Sequence, residues 1–328
     1  MAQTERDNQT TVTEFLLLGF KLPPHLQTLL FVVFLTIYMV TMTGNILIVV
    51  VILADHHLHK PMYFFLGNLS VLEICYISTI LPRILASLIS DYHGIPFIGC
   101  FIQFYFFGSF ACAECYLLSA MSYDRYVAIC KPLHYVTLMN NRLCARLSLA
   151  SWLTGIVASA FTTLFVSQLS FCGPNEIDHF FCDYTPLLRL SCSETQQTEM
   201  LMSVLGSTCT MPPLLLTLTS YAFIVNTILK IPTTNGRRKA FSTCSSHLIV
   251  VTIFYGSLTI VYILPKSNML KDLNKVFSVF YTILTPVINP FIYSLRNREF
   301  KEALRKVINT TRNLLISFAT QKECEGKM

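Results

Sequence analysis

Long apolar segments separated by short polar connections occupy most of the chain. An α-helix needs about 20 predominantly apolar residues to cross the hydrocarbon core of a bilayer. Seven segments of roughly that length follow one another: Leu29–Leu53, Met62–Ser90, Phe97–Tyr123, Leu147–Val166, Met200–Leu229, Leu248–Leu264 and Val276–Leu295. The pattern predicts an all-α membrane protein whose core is a seven-transmembrane helix bundle.

The composition agrees with this prediction. Of 328 residues, 53% are hydrophobic and only 13% are charged, whereas about a quarter of the residues in a soluble domain are charged. Residues 1–28 lack the basic start, short apolar core and small-residue cleavage site of a removable signal peptide. We therefore expect the first span to act as its own insertion signal.

Positive charge is distributed unevenly between the two sides of the predicted bundle. Most of it lies on the side of Arg125, in Lys60, Lys131, Arg142, Arg146, Lys230, Arg237, Arg238, Lys239, Arg296, Arg298, Lys301, Arg305 and Lys306. The positive-inside rule makes that side cytoplasmic. It predicts an extracellular N-terminus (1–28), a transmembrane domain (29–295) and a cytoplasmic tail (296–328) in a multi-pass plasma-membrane protein. The net charge of +6 then needs no nucleic-acid partner.

The tail begins with an amphipathic pattern between Asn297 and about Ile316. Apolar residues recur there at helical spacing and alternate with basic ones: Phe300, Ala303, Leu304, Val307 and Ile308 against Lys301, Arg305 and Lys306. This predicts a short eighth helix that lies on the lipid of the inner leaflet. A solvated, charged tail helix is the alternative.

Four of the 12 cysteines fall on the predicted extracellular side. Cys100 starts the third span, and Cys172, Cys182 and Cys192 follow at ten-residue steps in the fourth connection. An even number in an oxidising compartment favours disulfides, although four cysteines allow three pairings. Asn8 starts an Asn-Gln-Thr glycosylation sequence on the same side.

The third span ends in Asp124 and Arg125. A charged arginine is costly in hydrocarbon, so Arg125 must reach water, headgroups or an acidic partner. The same helical stripe carries Glu114 in the middle of the span and Phe107 near its other end. One helix face therefore connects the two sides of the bilayer, which suits a signal transducer better than an anchor.

Several motifs run along the chain in a fixed order: Gly44-Asn45, Pro61-Met-Tyr-Phe-Phe-Leu66, Leu69-Ser70, Glu73, Met121-Ser-Tyr-Asp-Arg-Tyr-Val-Ala-Ile-Cys130, Pro132-Leu-His-Tyr135, Ser220-Tyr221, Lys239-Ala-Phe-Ser-Thr-Cys-Ser-Ser-His-Leu248 and Pro286-Val-Ile-Asn-Pro-Phe-Ile-Tyr-Ser-Leu-Arg-Asn297. Together they resemble an odorant receptor of the rhodopsin-like G-protein-coupled family, of the land-vertebrate class. The motifs cover the first span to the eighth helix, and their combination is far more specific than any one of them.

The resemblance implies two disulfides and a signalling role for Arg125. The family pattern pairs Cys100 with Cys182, which leaves Cys172 and Cys192 to close a second loop. Odorant binding would move the sixth helix outward and expose Arg125 to a heterotrimeric G protein of the stimulatory olfactory type, which raises cyclic AMP. The residues implied in coupling are Asp124, Arg125, Tyr126, Tyr221, His247, Asn289, Pro290 and Tyr293.

Glu73 and Glu114 place two carboxylates within the membrane. Ionised acids repel in a medium of low dielectric, so either a cation lies between them or one holds a proton. The Glu73 position helps to bind sodium in many related receptors. We therefore expect a sodium or proton site, with a merely hydrogen-bonded pair as the alternative.

We expect the ligand to bind between the upper thirds of the third, fifth, sixth and seventh helices. The predicted lining residues are Phe104, Phe107, Gly108, Ala111, Cys112, Met202, Leu205, Gly206, Tyr255, Leu258, Thr259, Tyr262, Val279 and Thr282. Related amine receptors carry an acid at the Phe107 position, and the upper inward positions of the last three helices lack Lys and Arg. This favours a small, volatile, neutral and mostly apolar odorant.

Other functions fit the sequence less well. A transporter would show two repeated halves with interrupted spans, and an enzyme would need a nucleophile with a base or a metal motif. A channel would leave the Asp-Arg-Tyr motif without a role. His179 and Cys182 suggest a metal site only if Cys182 is a free thiolate. A receptor for lipid mediators remains the main alternative.

Overall fold

The computed structural model describes residues 12–20, 23–90, 92–172, 174–262, 271–296 and 298–325. Seven helical stretches in these ranges are long and apolar enough to span a membrane, which confirms the predicted bundle. The elements in chain order are β1 (Glu14–Leu17), α1 (Pro24–Ala54), a 3-10 turn (His56–Leu58), α2 (Pro61–Ile89), β2 (Gly94–Pro96), α3 (Phe97–Cys130), a 3-10 turn (Pro132–His134), α4 (Tyr135–Leu138), α5 (Asn141–Ser167), β3 (Glu176–Ile177), α6 (Tyr184–Arg189), α7 (Gln196–Leu229), α8 (Thr234–Tyr262), α9 (Lys271–Val279), a π-helical turn (Phe280–Leu284), α10 (Thr285–Arg296) and α11 (Arg298–Glu325).

Local chemistry sets several helix boundaries. Pro24 and Pro61 stand in the first turns of α1 and α2, where the missing N–H of proline breaks no helical hydrogen bond. Asn140 precedes α5, and its side chain accepts a 2.9 Å hydrogen bond from the Leu143 amide. These caps fix where the chain leaves each connection and enters the bundle.

The bundle has apolar side chains on the outside as well as the inside. Leu29 and Leu53 of α1 are 59% and 71% exposed, as expected for a surface that faces lipid. The acids Glu73, Glu114 and Asp124 are instead buried among the helices. Because hydrocarbon cannot solvate charge, acidic side chains in a membrane protein are expected to face the interior of the bundle, as these do.

A three-stranded sheet, which the hydropathy pattern did not predict, covers one end of the bundle. β1 pairs antiparallel with β2 and parallel with β3, in the order β2-β1-β3. Phe15 and Leu17 of β1 are buried in a hydrophobic cluster with Phe101 and Phe104 of α3. Residues far apart in sequence thus form one layer over the helix ends.

α11 lies at the opposite end and is longer than the predicted eighth helix. It runs to Glu325 over 28 residues. Phe300 and Ala303 are buried whereas Lys301 is exposed, so the predicted amphipathic character is present in this part of α11. Its first turn is fixed to the loop before α2, because Glu299 forms an ion pair with Lys60, in which Oε1 and Nζ are 2.8 Å apart.

Candidate functional site

Two disulfides stabilise the layer that covers one end of the bundle. This layer, called the roof below, consists of β1, β2, β3 and the described residues between α5 and α7. Cys100 is bonded to Cys182 and Cys172 to Cys192, with Cα separations of 5.6 and 5.9 Å. These are the two pairings that the family resemblance implies. Gln103 adds a further link, because its side chain accepts from the Cys182 amide and donates to the Thr79 carbonyl of α2, both at 3.0 Å. The long loop is thereby tied to α2 as well as to α3.

The seventh span also contacts the roof. Lys275 donates to Asp178 at 2.9 Å and to the carbonyl of Gly19 at 3.1 Å. Phe20 stacks on Phe180 at 5.2 Å between ring centroids. The N-terminal segment, the long connection between α5 and α7, and α9 therefore form one connected layer.

Phe107 lies at the centre of an aromatic cluster beneath this roof. Its ring centroid is 4.7 Å from Phe181, 5.5 Å from Tyr76 and 6.1 Å from Tyr281. Only Phe107 was predicted from the sequence to line the ligand site. The other three come from α2, the loop and the seventh span, and the motif and span patterns offered no signal for them.

The predicted lining residues divide into two buried groups. Phe107, Tyr255 and Leu258 belong to the main core, against which Ala111 and Val279 pack. Phe104 lies instead in the cluster beneath the sheet, with Met202 packed against it.

The other predicted lining residues differ in burial. Cys112 and Thr282 are buried, Leu205 and Thr259 are partly exposed, and Gly206 is exposed, with open space where a side chain would project. The side chain of Tyr262 is outside the described residues. The structure thus supports an inward position for Cys112 and Thr282 more strongly than for Gly206.

Gly108 does not face this region. A Cβ atom placed on it would lie 2.7 Å from the Ser159 hydroxyl of α5, so the residue allows α3 and α5 to approach closely. Its predicted place in the ligand lining is corrected to a helix-packing role.

Three of the predicted polar contacts already donate their hydroxyl hydrogens within the protein. The Tyr255 hydroxyl donates to the Cys115 carbonyl at 2.8 Å. Thr259 and Thr282 donate to carbonyls one turn earlier in their own helices, at 2.7 and 2.6 Å. Towards a ligand, these three hydroxyls can act only as hydrogen-bond acceptors.

The side chains of Asn45 and Asn289 lie beside Glu73, and Glu114 is near enough to Glu73 to interact with it electrostatically. Glu73 and Glu114 are both fully buried, and Asn289 donates to one Glu73 oxygen. The other Glu73 oxygen, both oxygens of Glu114 and the amide oxygens of Asn45 and Asn289 have no hydrogen-bond partner. Such buried oxygens cost about 1–3 kcal/mol each when unpaired, so the cluster favours a bound cation or proton.

Arg125, near the end of α3, is paired within its own helix. Arg125 Nε lies 3.8 Å from Asp124 Oδ2, and these side chains are only 13% and 2% exposed. Tyr135 donates to the other Asp124 oxygen at 2.8 Å. The Tyr221 hydroxyl and His247 Nδ1 are 2.6 Å apart and link α7 to α8 close to Arg125.

The remaining predicted coupling residues occupy different surroundings. The Tyr126 ring lies 5.8 Å from that of Phe223. Pro290 packs against Gly44 of α1, where an added Cβ would come within 2.9 Å of it. The side chain of Tyr293 and all of Asn8 are outside the described residues. The structure therefore brings Asp124 and Arg125 together with Tyr221 and His247, whereas Asn289 contacts Glu73.

His179 occupies the roof as a buried neutral imidazole. Burial lowers its pKa to about 3, and the nearby positive charge of Lys275 adds to the effect. Cys182 is in a disulfide, so the metal site that His179 and Cys182 suggested lacks its thiolate. In the described part of the chain, no group of three or more His, Cys, Asp or Glu residues is arranged to hold a metal.

We predict that acid weakens the roof through His179. In the unfolded chain a histidine titrates near pH 6.5, but the folded pKa is about 3. Stability is therefore full above about pH 6.5 and falls as the pH drops towards 3, because only the unfolded state gains the proton. Melting temperatures of the purified protein at pH 7.5 and 5 will show a smaller acid-induced fall for His179→Gln.

His25→Gln, at an exposed histidine, serves as the control and should retain the acid dependence of the wild type. An identical pH dependence in His179→Gln and the wild type would contradict this role of His179.

Comparison with known proteins agrees with the geometry. A family model described as olfactory receptor matches residues 34–311. The chain is 49% identical to human olfactory receptor 11L1, over 97% of this chain and 99% of that protein. It is 50% identical to human olfactory receptor 6B1, over 92% and 97%, and 46% identical to rat olfactory receptor 1468, over 92% and 96%.

The fold has a distant parallel among solved structures. Squid rhodopsin superimposes with a TM-score of 0.69 over 89% of this chain and 88% of that one, at 16% identity. That similarity concerns the helix bundle alone. With the family model and the close relatives, it leads to one conclusion: the chain belongs to the olfactory receptor family of seven-helix receptors.

Proposed function

We propose that this receptor binds a small, neutral, mostly apolar odorant beneath its disulfide-bonded roof, and that binding moves α8 outward to activate a stimulatory G protein. The main support is a hydrogen bond that the Tyr255 hydroxyl of α8 donates to the Cys115 carbonyl of α3, at the level of the predicted ligand site. A ligand that weakens this bond would release α8 from α3. Binding energy would then be converted into a helix movement.

The lining chemistry supports the choice of ligand. Phe107, Leu258 and Val279 offer apolar surface, and the described lining residues include neither Lys nor Arg. Burial of each ligand methylene contributes about 0.8 kcal/mol, which favours modest affinity and broad selectivity. A cationic amine or a carboxylate would lose its hydration without gaining a counter-charge.

The far end of the bundle supports coupling to a G protein. Arg125 is held by Asp124, its neighbour in α3, rather than by an acid of α8. The contact between Tyr221 and His247 instead joins α7 to α8. Outward movement of α8 would break that contact and make Arg125 accessible to the C-terminal helix of a G-protein α-subunit. Cyclic AMP would rise in response.

The charge distribution and the ends of the structure support one orientation. β1 lies at the roof, and α11 joins the basic end through Lys60 and Glu299. We propose that the roof is extracellular, with Asn8 as its glycosylation site, and that the basic end faces the cytosol at the plasma membrane. α11 would then lie along the inner leaflet.

Arg125→Ala will test the signalling role. We expect at least a tenfold loss of odorant-evoked cyclic AMP at equal surface expression, because the charge that contacts the G protein is removed. Arg146→Ala changes an exposed arginine of α5 and should signal normally. Full signalling by Arg125→Ala would contradict the proposed coupling. Activation of the wild type by lipid mediators, and by none of a broad odorant panel, would contradict the proposed ligand class.

The carboxylate pair supports a second part of the proposal: a sodium ion or a proton stabilises the inactive receptor. Asn45, Glu73, Glu114 and Asn289 all carry unpaired oxygens, which are the ligands that hard cations prefer. A bound cation would neutralise the repulsion between the two acids. Its loss would favour rearrangement of α2, α3 and α10.

Glu114→Gln will test this site. The change keeps the size of the side chain and removes its charge. If the ion is sodium, we expect raised basal signalling and loss of the sodium-dependent fall in basal cyclic AMP. If it is a proton, glutamine mimics the protonated acid, so basal signalling should stay low and lose its dependence on pH. Glu199→Gln, at an exposed position of α7, should behave as the wild type. If basal activity and the responses to sodium and pH were all unchanged in Glu114→Gln, neither ion would act there.

A further inference from the structure

Tyr76 of α2 has a hydroxyl group that the protein itself leaves unpaired. The residue is fully buried, and its hydroxyl oxygen has neither a hydrogen-bond partner nor contact with solvent. Buried tyrosine hydroxyls are usually paired, because an unmade hydrogen bond costs free energy. An unpaired one at this depth therefore indicates a partner that the chain does not supply.

The position of Tyr76 indicates what that partner is. Its ring packs against Phe107 at 5.5 Å, and Phe107 packs in turn against Phe181 and Tyr281. Glu114 and Asp183 are close enough to interact with Tyr76 electrostatically. Tyr76 thus lies between Glu114, within the bundle, and Asp183, in the roof. It is beside Phe107, which is at the centre of the predicted ligand site.

Tyr76 also differs from the hydroxyls that the sequence indicated as ligand contacts. The hydrogens of Tyr255, Thr259 and Thr282 are already donated to backbone carbonyls. Tyr76 retains a hydrogen that it can donate. A ligand that pairs with this hydrogen offers an acceptor atom, such as the oxygen of a ketone, aldehyde, ester or ether.

We propose that the Tyr76 hydroxyl donates a hydrogen bond to a carbonyl or ether oxygen of the bound odorant, and so determines which odorants this receptor prefers. The inference rests on the proposed function, since it concerns the same ligand site. It extends that site to α2 and specifies the ligand as a neutral molecule with one oxygen acceptor. The remainder of the ligand would lie against Phe107 and the aromatic rings around it.

Tyr76→Phe tests the proposal, because it removes the hydroxyl and keeps the ring that packs on Phe107. Cells that carry the full-length receptor would be exposed to ketones and ethers and to thioethers of matched chain length, whose sulfur is a weak acceptor. We expect the concentration for half-maximal response to rise about tenfold for the oxygen compounds, the usual effect of losing one hydrogen bond. For the thioethers it should change by less than about threefold.

Tyr105→Phe is the matched control. Tyr105 packs against Phe106, which is 43% exposed on the outer surface of α3. Removal of the Tyr105 hydroxyl should leave the concentration for half-maximal response unchanged for both ligand series. The melting temperature of the unliganded receptor is measured for both variants, because a merely structural role of Tyr76 would lower it without changing the order of ligand potency.

The outcomes separate the two proposals. An equal shift for oxygen compounds and thioethers, or no shift for either, would overturn the role of Tyr76 and leave the proposed function intact. Wild-type responses to thioethers as strong as those to the oxygen compounds would also overturn it. A surface-expressed wild type that responds to no odorant would overturn the proposed function, and this inference with it.

Discussion

The cost of placing charge in hydrocarbon determines how this receptor is built. Glu73, Glu114 and Asp124 are almost fully buried, and the Arg125 side chain is only 13% exposed. Each of these groups would destabilise the protein if it faced lipid. Apolar side chains such as Leu53 occupy the outer surface instead. The rotation of α2 and α3 within the bundle follows from this requirement, which places polar groups in the interior.

α3 connects the disulfide-bonded end of the molecule with its basic end. Cys100 fixes its upper end to the roof, and Phe107 lies among the aromatic residues beneath. Glu114 follows in the carboxylate cluster, and Asp124 and Arg125 complete the helix at the basic end. A helix of 34 residues extends about 51 Å, longer than the hydrocarbon core. It is therefore long enough to reach both surfaces of the bilayer.

Hydropathy and charge predicted the parts of the structure that depend on contact with lipid, namely the helices and the burial of Glu114. They could not predict the sheet, because β1 has four residues and pairs with segments remote in sequence. The pattern of apolar spans also does not predict which neighbouring helix each residue faces. Gly108 faces α5, and the ring of Tyr76 from α2 packs against Phe107. Such details depend on how neighbouring helices pack, which periodicity alone does not specify.

We propose that the chain crosses the membrane seven times, with its roof outside and its basic end in the cytosol. Epitope tags at the two ends of the full-length receptor test it directly, by antibody labelling of intact and permeabilised cells. We expect labelling of the N-terminal tag on intact cells and of the C-terminal tag only after permeabilisation. Labelling of both tags under the same condition would contradict it, because both ends would then lie on one side.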